Sequence, residues 1–156
     1  MKHREEIENI IREAEEEETD IPVMVIKAMI IDQLVEMMET TGVVRNSSKL
    51  GKLMINREKR MSTGLQNGIA FPHVRTDVVR SFGMAILIPE FPVPYDSFDG
   101  EPVSIIVGMV SPTYDDSLHL KMCAKIASLF EFEEFRESLK NSETDDEVIF
   151  LFRQEE

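Results

Sequence analysis

The chain has 156 residues, with 17 Lys and Arg against 30 Asp and Glu, a formal net charge of −13, and 42% hydrophobic residues. That length fits a single domain of the usual ~100–200 residues, and the apolar content is too high for a disordered chain. No apolar run approaches the ~18–20 residues of a membrane-spanning helix, no apolar stretch follows Met1 as a secretory signal requires, and one cysteine, Cys123, cannot build a disulfide framework. These features predict a soluble, cytoplasmic protein with no membrane insertion. The acidic balance argues against nucleic acid as a partner, because phosphates must be met by Lys and Arg.

Residues 1–20 hold nine acidic side chains against three basic ones, a local charge of −6 that leaves −7 for the remainder. Glu15, Glu16, Glu17 and Glu18 form the densest run, and such runs are usually solvated. With Ile7, Ile10, Ile11 and Ala14 at helical spacing, residues 1–21 read as an acidic, helical arm. Pro22 separates this arm from a body over residues 22–156. Val25, Ile26, Met29, Ile30, Leu34, Met37 and Met38 recur at helical spacing and predict a helix over 23–40 that stops at Gly42. A short strand at 22–26 is the alternative there. Asn46, Ser47 or Ser48 caps a second helix carrying Leu50, Leu53, Met54 and Arg57.

Residues 62–68, Ser-Thr-Gly-Leu-Gln-Asn-Gly, read as a turn-rich loop. Ile69-Ala70-Phe71 is a short strand that stops at Pro72. Gly83–Ile88 and the β-branched run Val103–Val110 are two further strands, joined through a loop with Pro89, Pro92, Pro94 and Gly100. Three helices follow. The first is capped at Asp115, Asp116 or Ser117, the second is marked by Phe132, Phe135 and Leu139, and the third opens with Thr144 and Glu147 at capping-box spacing. Helices before, between and after few strands predict a layered α/β or α+β domain. Cys123 falls on an apolar helix face, and Met29, Met37, Met54 and Met122 occupy core-like positions. Tyr95 and Tyr114 sit in loops where they could rim a site.

The sequence lacks a P-loop, a dinucleotide fingerprint, a His-Glu-x-x-His and a Cys-x-x-Cys. His119 and Cys123 are four apart, but two ligands without an evident third do not make a metal site. No cofactor is implied. Of the three histidines, His3 lies in the arm. His73 follows Pro72, which has a fixed φ and biases Phe71 toward extended geometry, so its imidazole is presented where a strand ends. Upstream, Arg57 offers a guanidinium suited to phosphate oxygens. Ser62, Thr63, Gly64 and Gly68 supply the hydroxyls and backbone amides of an anion pocket. His119 lies near a helix N-terminus, where the dipole favours a neutral imidazole and a bound anion. A neutral imidazole can attack phosphorus with its unprotonated nitrogen. Structural roles are the plain alternative for each residue: a surface salt bridge to Glu58 for Arg57, and a helix-surface position for His119.

Arg57-Glu58, followed by Ser62-Thr63-Gly64-Leu65-Gln66-Asn67-Gly68-Ile69-Ala70-Phe71-Pro72-His73, resembles the active-site segment of the fructose–mannitol type of enzyme IIA. That family belongs to the bacterial phosphoenolpyruvate-dependent phosphotransferase system (PTS) and includes nitrogen-regulatory members. Phe98-Asp99-Gly100 and His119-Leu120 agree in order and spacing, and the resemblance covers roughly residues 24–153. It implies a mixed β-sheet flanked by helices on both sides. It implies that His73 accepts a phosphoryl group from phospho-HPr and passes it to an enzyme IIB. His119 is then a second histidine that orients the phosphorylated form, Arg57 contacts the phosphoryl group, and Ser62 and Thr63 shape the pocket. A stand-alone regulatory role, or a degenerate module that binds partners according to phosphorylation state, is the alternative. The chain departs from the family pattern at Gln66, Phe71 and Val74, where a small, an aliphatic and a small residue are usual.

Overall fold

The computed structural model describes Arg12, Glu13, Glu16 and residues 21–155. Of the helical arm expected over residues 1–21, Arg12, Glu13 and Glu16 are helical and exposed, Ile21 is non-helical and packs against the core, and the rest lies outside the described residues. The chain divides into two compact units, Met1–Asp116 and Ser117–Glu156.

The first unit opens with helix α1, Val23–Glu39, so the alternative of a strand at 22–26 does not form. Ile26, Ile30, Leu34 and Met38 recur every four residues, and together with Ile31 and Val35 they make its buried face. Val25 and Met37 are exposed instead of core. The helix is apolar around much of its girth, so spacing alone does not fix which stripe faces inward. Lys27 and Gln33 share the buried side. Helix α2, Ser47–Arg60, is capped by Asn46, whose side chain accepts from the Lys49 N–H at 3.0 Å.

Four strands follow: β1 (Ile69–Ala70), β2 (His73–Arg75), β3 (Gly83–Leu87) and β4 (Ile105–Ser111). β4 pairs in parallel with β1 and β2 and antiparallel with β3, which gives a mixed sheet. All seven residues of β4 are buried, which explains its apolar run from Ile105 to Val110 ahead of Ser111. Ile69 faces Ile105 and His73 faces Met109, the same offset on both sides of Pro72. The strand expected to stop at Pro72 is therefore interrupted there and resumes at His73. Proline has no N–H to give the ladder, yet its carbonyl still accepts from the Met109 N–H at 3.0 Å.

Helix α3 (Asp116–Glu131) begins on the last residue of the first unit, and the second unit holds the rest of it with α4 (Glu133–Lys140) and α5 (Asp145–Gln154). The rings of Phe130, Phe135 and Phe152 meet at centroid distances of 5.4, 5.2 and 6.2 Å. Two of these contacts, Phe130–Phe135 and Phe135–Phe152, are T-shaped and the third is tilted, and the T-shaped arrangement is one that aromatic quadrupoles favour. Thr144 caps α5 by accepting from the Glu147 N–H at 3.3 Å, and Glu147 accepts from the Glu143 N–H at 2.7 Å. Cys123 is only half-buried, short of the core position its helix face predicted, and desolvation pushes its thiol pKa up. Among the described residues, no helix is long and apolar enough to cross a membrane.

Candidate functional site

His73 opens β2 and is held twice by the residue two before it. Its Nδ1 lies 2.8 Å from the Phe71 carbonyl oxygen, and its ring stacks on the Phe71 ring at 4.5 Å between centroids with 24° between planes. Residues i and i+2 of an extended segment share a face, which brings the two rings together. A carbonyl can only accept, so this contact selects the tautomer with hydrogen on Nδ1 and the in-plane lone pair on Nε2. Phe71 is itself fixed: its ring is buried and its N–H donates to the Thr63 carbonyl at 2.9 Å.

The loop 62–68 runs from the end of α2 to β1 and rests on a buried charge network. Glu58, in the last turn of α2, accepts from the Thr63 N–H at 2.9 Å and from the Thr63 hydroxyl at 2.5 Å. Its other partner is Lys27 of α1, with Nζ 2.9 Å from Oε1 and side-chain exposures of 3% and 0%. The Lys27 ammonium also donates to Ser62 Oγ at 3.1 Å and lies 4.8 Å from the centre of the Tyr95 ring. Ser62 in turn donates to the Tyr95 carbonyl at 3.0 Å and accepts from the Gly64 N–H at 3.1 Å. Both hydroxyl hydrogens of the expected pocket, those of Ser62 and Thr63, are thus committed within the protein and hold the shape of the loop.

The two expected pocket glycines have steric reasons. A Cβ at Gly64 would lie 2.7 Å from Ser97 Oγ and 2.8 Å from the Ser97 Cα, so only glycine fits this close approach. Gly68 has φ +73°, and its carbonyl accepts from the N–H groups of Ser104 and Ile105 at 2.7 and 3.1 Å. The second loop is sewn to the first through Phe98 N–H to the Gly64 carbonyl, 2.9 Å. Arg57 lies at the entrance to the loop, where its Nη1 donates to the Met61 carbonyl at 3.0 Å. Its neighbour Glu58 pairs with Lys27 and not with Arg57.

His119 lies in the first turn of α3, in the second unit, and is half-buried. Gln66 is exposed, whereas Val74 is half-buried and packs against the core. Tyr95 is 1% exposed, a core residue and not a rim residue. Burial, with the Glu58 carboxylate adding to it, pushes its phenol pKa well above the ordinary range. Lys27 is the one residue of this network that the sequence reading does not reach. Its signal in the sequence is a lone cation inside the apolar stripe between Ile26 and Ile30, where a charge needs a buried partner.

Residues 15–155 match the family described as "Phosphoenolpyruvate-dependent sugar phosphotransferase system, EIIA 2". The chain belongs to this family. It is 28% identical over 128 residues to the fructose-specific EIIABC component of the PTS of Bacillus subtilis, covering 82% of this chain and 20% of that protein. It is 34% identical over 91 residues to a nitrogen regulatory protein of Pseudomonas aeruginosa, covering 58% of this chain and 59% of that protein. The chain thus spans a fifth and about three-fifths of these two relatives. The crystal structure of nitrogen regulatory protein IIA-Ntr from Neisseria meningitidis superposes with a TM-score of 0.72 at 29% identity, over 80% of this chain and 85% of that one. The Escherichia coli mannitol IIA, solved in complex with phosphorylated mannitol IIB, shares the fold with a TM-score of 0.70 at 21% identity, over 82% of this chain and 88% of that one.

Proposed function

We propose that the chain is a phosphocarrier that accepts a phosphoryl group from phospho-HPr on His73 and passes it to an enzyme IIB, with residues 22–156 as the working domain and the cytoplasm as its location. The observation that carries this reading is the Nδ1 contact to the Phe71 carbonyl. It leaves Nε2 as the nucleophile, at the exit of an interrupted strand.

The transfer balances without a proton. The Nε2 lone pair forms the new N–P bond while the donor's N–P bond breaks, its electron pair returning to the donor imidazole. The acceptor ring keeps its Nδ1 hydrogen and becomes a cationic phosphoimidazolium, and the donor ring leaves neutral. The Phe71 carbonyl dipole points its negative end at the ring that gains charge, a stabilisation already in place before reaction. Such a transfer needs in-line positioning and charge stabilisation and little else. Arg57 is proposed to neutralise phosphoryl oxygens, and Ser62, Thr63, Gly64 and Gly68 to keep the loop in shape. The role of His119 as a second histidine rests on the resemblance alone, and His119→Ala tests it.

The surface beside the loop supports a protein donor. Phe98 is 90% exposed and Leu65 43%, next to exposed Asp96, Asp99 and Glu101. An apolar contact with an acidic rim suits a partner with a basic rim. Incubation with enzyme I, HPr and labelled phosphoenolpyruvate is expected to place acid-labile label on the wild type and none on His73→Ala. No label on the wild type with a competent HPr overturns the reading.

The likeness to nitrogen regulatory proteins favours a second reading, in which the phosphorylation state of His73 governs binding to a regulated protein. Label that stays on the chain when enzyme IIB is added supports it, and label that moves on to enzyme IIB supports the carrier.

A further inference from the structure

The Phe71 ring lies against the imidazole whose charge changes during the proposed reaction, and it is held there from both sides. Its backbone N–H is tied to Thr63 and its carbonyl to His73 Nδ1, at 2.9 and 2.8 Å. Phe71 is 7% exposed, so its ring is packed by its surroundings. The 4.5 Å separation and 24° interplanar angle put the π-face of Phe71 over the imidazole.

We propose that Phe71 is a catalytic residue that sets the stability of the phosphorylated form, by stacking on the cationic phosphoimidazolium more strongly than on the neutral ring. This rests on His73 being the phosphoacceptor. The face of an aromatic ring is electrically negative and attracts a cation, the more so where water is excluded. A neutral imidazole gains only stacking and burial from the same contact. The difference favours the phosphorylated state, because only interactions that differ between two states shift their balance. The acceptor thereby gains phosphoryl group from its donor and gives it up more slowly.

Hydrolysis reads the same quantity without a protein partner. Water oxygen forms a bond to phosphorus, the P–Nε2 bond breaks with its electron pair returning to Nε2, and dihydrogen phosphate leaves. The ring loses its charge in that step, so whatever holds the charge slows it.

The test uses the full chain with Phe71→Leu, which keeps an apolar side chain of moderate size, and Phe71→Tyr, which keeps the π-face. Each is checked for an unchanged circular dichroism spectrum and cooperative melting. His73 is phosphorylated by two routes, from phospho-HPr and chemically with phosphoramidate. The half-life of the phosphohistidine and the equilibrium constant for exchange with HPr are then measured. For Phe71→Leu both are expected to fall by roughly 3- to 30-fold, with Phe71→Tyr close to wild type. A purely structural role for the ring would move neither quantity in a folded variant. A folded Phe71→Leu within about twofold of wild type in both overturns the proposal, as does Phe71→Tyr behaving like Phe71→Leu. Wild type that takes label from phosphoramidate on His73 but none from phospho-HPr overturns the carrier function and leaves the half-life comparison to decide the role of Phe71.

Discussion

Two ion pairs bracket the segment that carries His73, and they are alike in length and unlike in everything else. Lys27 and Glu58 meet at 2.9 Å beneath the loop, with side chains 3% and 0% exposed. Arg75 and Asp116 meet at 2.7 Å beyond the end of β2, with side chains 43% and 66% exposed. Distance alone would rank the second pair higher. The environment reverses the order. In water the attraction between two charges at this range is mostly screened, and holding two long side chains costs entropy. In the interior the desolvation of both ions must be offset by their attraction and by further hydrogen bonds. The buried pair has those bonds: Glu58 also takes two from Thr63, and Lys27 also donates to Ser62 and faces Tyr95. The buried pair is therefore a joint between α1, α2 and the loop, whereas the exposed pair is a contact between two surface residues.

The most direct way to break the buried joint is Glu58→Ala. It leaves the Lys27 ammonium buried without its counter-ion and the Thr63 N–H without its acceptor, and a loss of about 3–5 kcal/mol is expected, read from the urea unfolding midpoint. That is a large share of the ~5–15 kcal/mol that holds a typical domain. The double variant Lys27→Met/Glu58→Gln sharpens the point. It removes both charges at similar volume and leaves an amide for Thr63, so it should recover most of the loss. A double variant as unstable as Glu58→Ala would show that the packing of the side chains matters and the stranded charge does not. Next in size is Gly64→Ala, which leaves the ions alone but pushes a Cβ into the Ser97 backbone. Overpacking of this kind costs about 1–3 kcal/mol, and the displaced loop should also slow labelling of His73.

The contrast between the pairs also marks what the sequence could say. The mixed α/β class, the helix boundaries at Asn46 and Thr144, and the two long strands follow from local signals that the tertiary structure respects. The Arg57-Glu58 to His73 segment was recognisable because its spacing is short and its residue types are unusual. What stayed hidden was long-range. Nothing within reach of Lys27 in sequence announces Glu58, 31 residues on. Tyr95 reads as a loop tyrosine because its burial comes from α1 and the loop at 62–64. Val25 and Met37 read as core because an apolar helix does not declare which stripe faces inward. The interruption at Pro72 was legible, but the resumption of the strand at His73 was not, since three residues carry little periodicity.

The smallest expected effects belong to the exposed pair. A double-mutant cycle on Arg75→Ala and Asp116→Ala should give a coupling of about 0.2–1 kcal/mol, against a clearly larger value for the corresponding cycle on Lys27 and Glu58. The two single variants of the exposed pair should not be equal. Asp116 is the first residue of α3, where its negative charge also faces the positive end of the helix dipole. That adds about 0.3–1 kcal/mol that Arg75 does not share. Asp116→Ala should therefore lower the unfolding midpoint more than Arg75→Ala, and Asp116→Asn should fall between wild type and Asp116→Ala, because Asn still accepts hydrogen bonds at a helix start without the charge. Raising the salt concentration should shrink the coupling of the exposed pair and leave that of Lys27 and Glu58 nearly unchanged. Equal salt sensitivity in the two cycles would mean that water reaches the Lys27–Glu58 joint, and the distinction between the pairs would then fail.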